Sequence, residues 1–423
     1  MIKKAAIFGL WAAALAGTVC AQEGKVPKGI PQLDHVFVIM MENHGYSQII
    51  GNPDTPFANA YANSANTATN YFAVAHPSLT NYLEVVGGSN FGVHSDNNPD
   101  WHNATCTNNL ATATATANTD NPASPKVCPI FGTGSDAATP AIDCTNETSC
   151  APGSNDGENN IDGVKSIPAA TNISGKTIAD QLVAAGLTWK TYQESLPPTG
   201  ADGVNFADGF FTDASNIPGI IPGDKQSLIK LYAAKHNPFV YFRSVQEGQH
   251  AELSLQRVVG FEGTGGLFED LSSGHVPHFS FIAPNQCNDQ HGRGNAGPQC
   301  DFDPNDNGTL AGLNPALMYL GDLTVRNIVK AIHSSPVWHE GRSAIVVLWD
   351  EDDYSVAPTT NQVLLIVDTN YNVHGVKDGN FYTHFSLLKS IEGGFRLPCL
   401  NHACDADTKV ISSLFRGGDD DAR

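Results

Sequence analysis

Basic charge is scarce in this 423-residue chain: 23 Lys and Arg stand against 43 Asp and Glu, a formal net charge of −20. A surface of that sign repels phosphate backbones, so nucleic-acid binding through a basic face is excluded as a general mode. Any anionic substrate must meet a local positive feature, for which a bound metal is the candidate. Charge of either sign is sparse, at 16 % of residues against 41 % hydrophobic, which excludes a coiled coil and an acidic disordered tail. No repeat of roughly 20–50 residues recurs, which removes solenoids and propellers. Past the N-terminal segment no run is long and apolar enough to span a bilayer. Among nine cysteines there is no C-x-x-C pair, so a zinc–thiolate centre is the weaker reading of them. What is plentiful is Gly (40) and Pro (25), the mark of a loop-rich globular chain long enough for one large α/β domain or two ordinary ones.

Lys3 and Lys4, the uncharged stretch Ala5–Val19, and Cys20-Ala21-Gln22 together read as a secretory signal over residues 1–21, cleaved after Ala21. The expected product, 22–423, is a single domain, secreted or periplasmic. Without Cys20 the cysteines number eight, and an even count in an exported chain reads as disulfides. Spacing offers Cys399–Cys404, Cys287–Cys300 and Cys144–Cys150, which leaves Cys106 for Cys128. Residues 105–172 hold four of these cysteines and the nearly low-complexity LATATATANTDNPASP, and read as a disulfide-braced insertion of unassigned role.

Apolar runs that end in polar residues recur along the chain. His35–Met41 leads into Glu42-Asn43-His44-Gly45, His278–Pro284 into Asn285–His291, and Ala344–Trp349 into Asp350–Asp353. Gln362–Asp368 reads as a further buried strand. Helical patterns lie between them, near Thr177–Ala185, Gln226–Ala234, Ala316–Ile332 and His384–Ile391. Continuous Val/Ile/Leu runs alternating with helices predict an α/β fold with a mostly parallel central sheet covered by helices on both faces. Ligands of such sheets sit beyond the carboxyl ends of the strands, and three acidic or amide-bearing strand ends on one edge suggest a metal site.

Glu42 and Asn43 supply hard oxygen donors suited to a divalent cation, although Asn-His-Gly alone is more often a turn. Ser78 follows Pro77 and precedes a helical pattern, so it stands where helix dipole and free N–H groups favour phosphate; a plain serine N-cap is the ordinary alternative. It lacks a G-x-S-x-G setting, which argues against an α/β-hydrolase triad. Asp289 and His291 share a turn braced by Cys287, suited to metal or phosphate or simply to a polar loop. Asp350–Asp353 must repel one another unless a cation or hydrogen bonds hold them. His236 and His384 read singly as helix-end histidines.

Taken as a set, HVFVIMMENHGYSQIIG (35–51), AHPSLTNYLEVVGG (75–88), KHNPFVYF (235–242), PNQCNDQHG (284–292), VVLWDEDD (346–353) and YTHFSLLKSIE (382–392) resemble one family. It is the bacterial and fungal phosphoesterase family of secreted acid phosphatases and phosphatidylcholine-type phospholipases C, in the alkaline-phosphatase superfamily. The resemblance implies an alkaline-phosphatase-like fold and a divalent metal held by Glu42, Asn43, Asp350 and Glu351, with Asp352 a substitute and Asp289 at a second metal or the phosphate. It implies Ser78 as nucleophile, Asn81 on the phosphoryl oxygens, His76 and His236 near the substrate, and His291 and His384, like Asp289, at positions that hold a second metal or the phosphate. His291 or His384 is then the expected acid for the leaving alcohol. Asp352-Asp353-Tyr354 stands where the phospholipase branch often has His-Gly-Gly, and the Cys-x-Pro-x-Arg signature of sulfatases is absent. The expected activity is therefore metal-dependent hydrolysis of a small phosphomonoester through a phosphoserine. A phospholipase C-type phosphodiesterase and a catalytically silent surface or binding protein are the alternatives.

Overall fold

The run His35–Met41 is buried from Val36 onward and lies in the interior of a sheet, β1 (His35–Met41). The structure, a computed structural model, describes residues 23–91, 173, 175–196, 231–248, 250–292, 296–301, 303, 309–353, 360–371 and 374–416. The expected signal segment 1–21, the expected insertion at 105–172 and Cys106, Cys128, Cys144 and Cys150 lie outside these residues. The other strands are β2 (Asn66–Ala68), β3 (Tyr71–Phe72), β4 (Trp189–Gln193), β5 (Val258–Gly260), β6 (Phe279–Ala283), β7 (Ser343–Trp349), β8 (Leu365–Thr369), β9 (Lys377–Asp378) and β10 (Tyr382–Thr383).

Strand order is β5-β4-β6-β1-β7-β8-β2-β9, with β3 and β10 paired separately. From β5 to β7 all pairings are parallel; β8 alone runs antiparallel to both its neighbours. Register places Val36 opposite Ala344 and Phe279, and Met41 opposite Trp349. Both faces of β1, β6 and β7 are buried, and side chains alternate across a strand, so both faces must be covered. The covering helices are α1 (Tyr46–Ile49), α2 (Pro56–Ser64), α3 (Ser78–Gly87), α4 (Ile178–Ala184), α5 (Arg243–Glu247), α6 (Leu267–Ser273), α7 (Pro315–Ser334), α8 (His384–Gly394) and α9 (Ser412–Phe415). Six of them pack in two groups, α3 with α4 and α8, and α7 with α2 and α6.

The local rules are legible at the ends that matter. Pro77, extended at φ −81° and ψ −176°, precedes the first turn of α3, and left-handed Gly88 closes it with its N–H on the Glu84 carbonyl. At α8, Thr383 and Ser386 form a capping box that fixes His384 as the first helical residue. Asn314 caps α7 through the Ala316 N–H. Cys287–Cys300 and Cys399–Cys404 are bonded, with Cα atoms 4.9 and 5.2 Å apart.

One element bears out the sequence reading and one differs from it. The strand expected at Gln362–Asp368 is β8, and it is antiparallel. The helix expected at Gln226–Ala234 is not formed in its described part; a 3-10 turn, Ala234–His236, stands there instead and stops before Asn237-Pro238.

Candidate active site

The carboxyl ends of β1, β6 and β7 and the helical starts of α3 and α8 converge on one cluster. Ser78 is buried at the first turn of α3, and its Oγ lies 3.0 Å from Glu42 Oε2 and 3.2 Å from Glu351 Oε1. A hydroxyl has one proton to donate, so the two carboxylates share it. Glu42 follows β1 and Glu351 follows β7, and the Asp350 N–H closes onto the Met41 carbonyl at 2.9 Å. Asn43 adopts a left-handed φ of 60°, which turns its own N–H onto Asp350 Oδ1 at 2.9 Å.

Two histidines bridge carboxylates. His76 places Nδ1 2.9 Å from Glu351 Oε2 and Nε2 3.3 Å from Asp352 Oδ1. His236 places Nε2 3.0 Å from Glu42 Oε1 and Nδ1 3.1 Å from Asp289 Oδ2, with its ring stacked on Tyr82. Burial works against charge on both rings, but the paired carboxylates outweigh it and carry His76 up to about 10 and His236 up to about 9. The carboxylate partners thus favour the imidazolium form of both rings. Burial likewise pushes Glu42 up, and the attraction of His236 and Lys235 more than reverses this, holding Glu42 below the usual carboxylate range. Asp289 ends at about 6, raised by burial against the pull of His236.

The run Asp350–Asp353 is buried throughout, and hydrogen bonds hold most of it. Glu351 faces Ser78, Asn81 and His76. Asp352 pairs with Asn361 in both directions, at 2.8 and 2.9 Å, and Asp353 accepts from Gln48. Asp350 is different. Its Oδ1 has the Asn43 N–H, but its buried Oδ2 has no hydrogen-bond donor. Burial first, and then the charges of Glu42 and Glu351, push its carboxyl well above the usual range.

The remaining expected residues have defined surroundings. Asn81 accepts from the Val74 and Ala75 N–H groups at 3.0 Å each and donates to the Ala75 carbonyl and Glu351 Oε2, so its amide orders the approach to Ser78. His384 has Nε2 2.7 Å from the Asp350 carbonyl and Nδ1 2.8 Å from the Tyr71 hydroxyl, and burial lowers it to about 4. Neutral and held at both nitrogens, it supports Asp350 from behind. His291 is lowered to about 3 by burial and by Lys235, whose ammonium donates to Nε2 at 3.2 Å. Its Nδ1 meets the Gly292 carbonyl at 3.1 Å.

Sequence reasoning missed Lys235, Asp303 and Gln290. Lys235 is a buried cation inside KHNPFVYF, and a lysine within a mostly uncharged segment was the available signal. Asp303 pairs with His44 Nε2 at 2.8 Å and fixes the turn after Glu42. Among the described residues, no group of three His, Cys, Asp or Glu stands ready to hold a metal ion; the oxygens of Glu42 and Glu351 are turned to Ser78 and the rings of His76 and His236.

The model of the Phosphoesterase family matches residues 51–299, which takes in Ser78, His236 and Asp289 but stops short of Glu42 and Asp350. An acid phosphatase of Aspergillus fumigatus is 23% identical over 365 residues, 86% of this chain and 55% of that protein, so the chain spans little over half of that curated relative. A phosphatidylinositol-3-phosphatase of Mycobacterium tuberculosis is 23% identical over 409 residues, 95% of this chain and 91% of its own. A solved Vibrio parahaemolyticus protein of the alkaline phosphatase superfamily aligns with a TM-score of 0.42 at 13% identity, over 92% of this chain and 72% of that one.

Proposed function

Because the chain belongs to the Phosphoesterase family, we propose that it hydrolyses phosphoric monoesters, with Ser78 as nucleophile and a divalent cation as cofactor. The observation that carries this reading is the buried Ser78 hydroxyl shared between Glu42 and Glu351 at the start of α3. The start of a helix of ten residues favours the charge of a phosphoryl group. Ser78 Oγ bonds to phosphorus as the ester P–O bond breaks in line; its proton passes to a carboxylate already within 3.2 Å and from there to the departing alkoxide, which leaves as the alcohol. Water then attacks the phosphoserine, its proton passes through the same carboxylate to Ser78 Oγ as the P–Oγ bond breaks, and phosphate leaves. Buried positive charge from Lys235 offsets the phosphoryl oxygens, while Asn81, His76 and His384 hold Ser78, Glu351 and Asp350 in place.

The donor types suit a hard cation, which would compete with Ser78, His76 and His236 for the oxygens of Glu42 and Glu351. Glu42, Asn43, Asp350 and Glu351 offer oxygen donors, and the buried, donor-free Oδ2 of Asp350 is the atom whose cost a cation relieves. Such a cation lowers the pKa of a serine hydroxyl and stabilises charge on phosphoryl oxygens. Asp289, tied to His236 and to its own turn, is a weaker candidate ligand. Export through residues 1–21 is part of the same reading, and the Cys287–Cys300 and Cys399–Cys404 bonds support an oxidising compartment. The names of the Aspergillus and Mycobacterium relatives support a monoesterase over a phospholipase C-type diesterase. The test is turnover of a chromogenic aryl phosphate and of phosphatidylcholine, each with and without chelator. Chelator-sensitive release from the monoester alone is expected; preferential cleavage of phosphatidylcholine, or no turnover of either, contradicts the reading.

A further inference from the structure

Gln290 sits between Asp289 and His291 yet takes no part in their cluster. Its φ is +82°, a conformation that non-glycine residues seldom adopt. The consequence is directional: Asp289 and His291 turn towards His236 and Lys235, while Gln290 is fully buried on the opposite side of its turn. Its carboxamide is used at both ends. Oε1 accepts from the Trp349 indole N–H at 2.9 Å, and Nε2 donates to the Met318 carbonyl of α7 at 2.9 Å. Trp349 is the last residue of β7, directly before Asp350. Helix α7 makes room for this contact at Gly321, where an added Cβ would lie 2.3 Å from Gln290 Cγ.

One side chain thus ties the turn of Asp289 and His291 to the strand end that delivers Asp350 and Glu351. The same turn is held by the Glu42 N–H on the Asp289 carbonyl at 2.9 Å and braced by Cys287–Cys300. The Trp349–Gln290 bond adds the link to β7, and a left-handed backbone persists where the surroundings over-determine it.

We propose that Gln290 is a positioning residue of this site, its buried carboxamide setting the register of Asp289 and His291 against Asp350 through Trp349 and α7. The proposal rests on the hydrolase reading above for its kinetic test only. Three variants probe one contact from three sides: Gln290→Leu, Trp349→Phe and Gly321→Ala. The last reaches the site only through Gln290, on whose Cγ its added Cβ would press, so a thermal melt first establishes that this variant is folded before its kcat is read.

The expected result is a tenfold or greater fall in kcat per folded molecule for each single variant, with KM for an aryl phosphate within threefold of wild type. The Gln290→Leu/Trp349→Phe double should be no slower than the slower single, since both remove the same hydrogen bond. Single variants within twofold of wild-type kcat, or losses that multiply in the double, overturn the proposal. An inactive wild type would contradict the hydrolase reading alone. The clamp is then judged by the Trp349 indole N–H resonance. Protection from exchange in wild type and its loss in Gln290→Leu support the proposal, and equal exchange in both refutes it.

Discussion

Asp350→Asn separates charge from shape at one atom. The variant keeps an oxygen for the Asn43 N–H, now 2.9 Å from Oδ1, and changes only the side that faces Glu42. Two carboxylates about 4 Å apart repel by ~4 kcal/mol at an effective dielectric of 20. Without a cation most of that is already relieved, because burial, Glu42 and Glu351 keep Asp350 protonated well above its usual range. Cation-free wild type and variant should therefore unfold within about 1 kcal/mol of each other, the size of an ordinary surface or isosteric change. A saturating cation separates them. At a hundredfold excess over Kd it stabilises the native state by ~2.7 kcal/mol, an upward shift in Tm of roughly 3 °C at ~1 °C per kcal/mol for a chain of this length. The amide offers an oxygen without the balancing charge, so the variant should gain less than a third of that shift and lose turnover. The assay is thermal unfolding in chelator and in titrated magnesium, manganese, calcium and zinc. A wild type that gains nothing from any of them refutes the reasoning, as does a variant that gains as much at the same concentrations.

Other outcomes follow from the same structure. Glu392, buried in α8, accepts the Leu400 N–H at 2.8 Å, and burial holds its carboxyl well above the usual range. The folded state then keeps a proton that the unfolded chain releases near pH ~4.3, so its share of stability is present below that pH and declines as pH rises towards the folded value. Glu392→Gln should raise Tm at pH 8 relative to pH 5, and curves parallel to wild type would contradict this. Non-reducing peptide mapping should find Cys287 joined to Cys300, as in the structure. The Cys287→Ala/Cys300→Ala double should lose roughly 3 kcal/mol by loop entropy, with lower kcat because the bridge braces the Asp289 turn; unchanged stability and kcat would contradict that role.

Much of this arrangement was legible in the sequence for physical reasons. β1 spans His35–Met41 as the apolar run predicts, and the ends of β1, β6 and β7 share one edge because those strands are parallel. The run Gln362–Asp368 read as a buried strand and forms β8, but its direction was not legible, since a run buried on both faces reads the same either way. The acidic run after β7 was expected to need a cation or hydrogen bonds. His76, Asn361 and Gln48 supply most of that need, from positions distant in sequence. His384 was placed correctly at a helix start, but its role depends on Tyr71 and the Asp350 carbonyl, contacts that only the fold creates. Gln290 carried no signal beyond being polar, because its partners, the Trp349 indole and the Met318 carbonyl of α7, are distant in sequence.

Ser78 as the nucleophile is the claim on which the rest depends, and trapping the covalent intermediate tests it most directly. Wild-type protein mixed with an excess of aryl phosphate, quenched in acid within one turnover and digested, should yield the peptide around Ser78 carrying one phosphoryl group. Ser78→Ala should yield no phosphopeptide and turn over at least a thousandfold more slowly, a barrier higher by about 4 kcal/mol. Phosphate found on a different residue, or a Ser78→Ala protein that retains more than about a tenth of the rate, roughly 1.4 kcal/mol of barrier, would contradict the account.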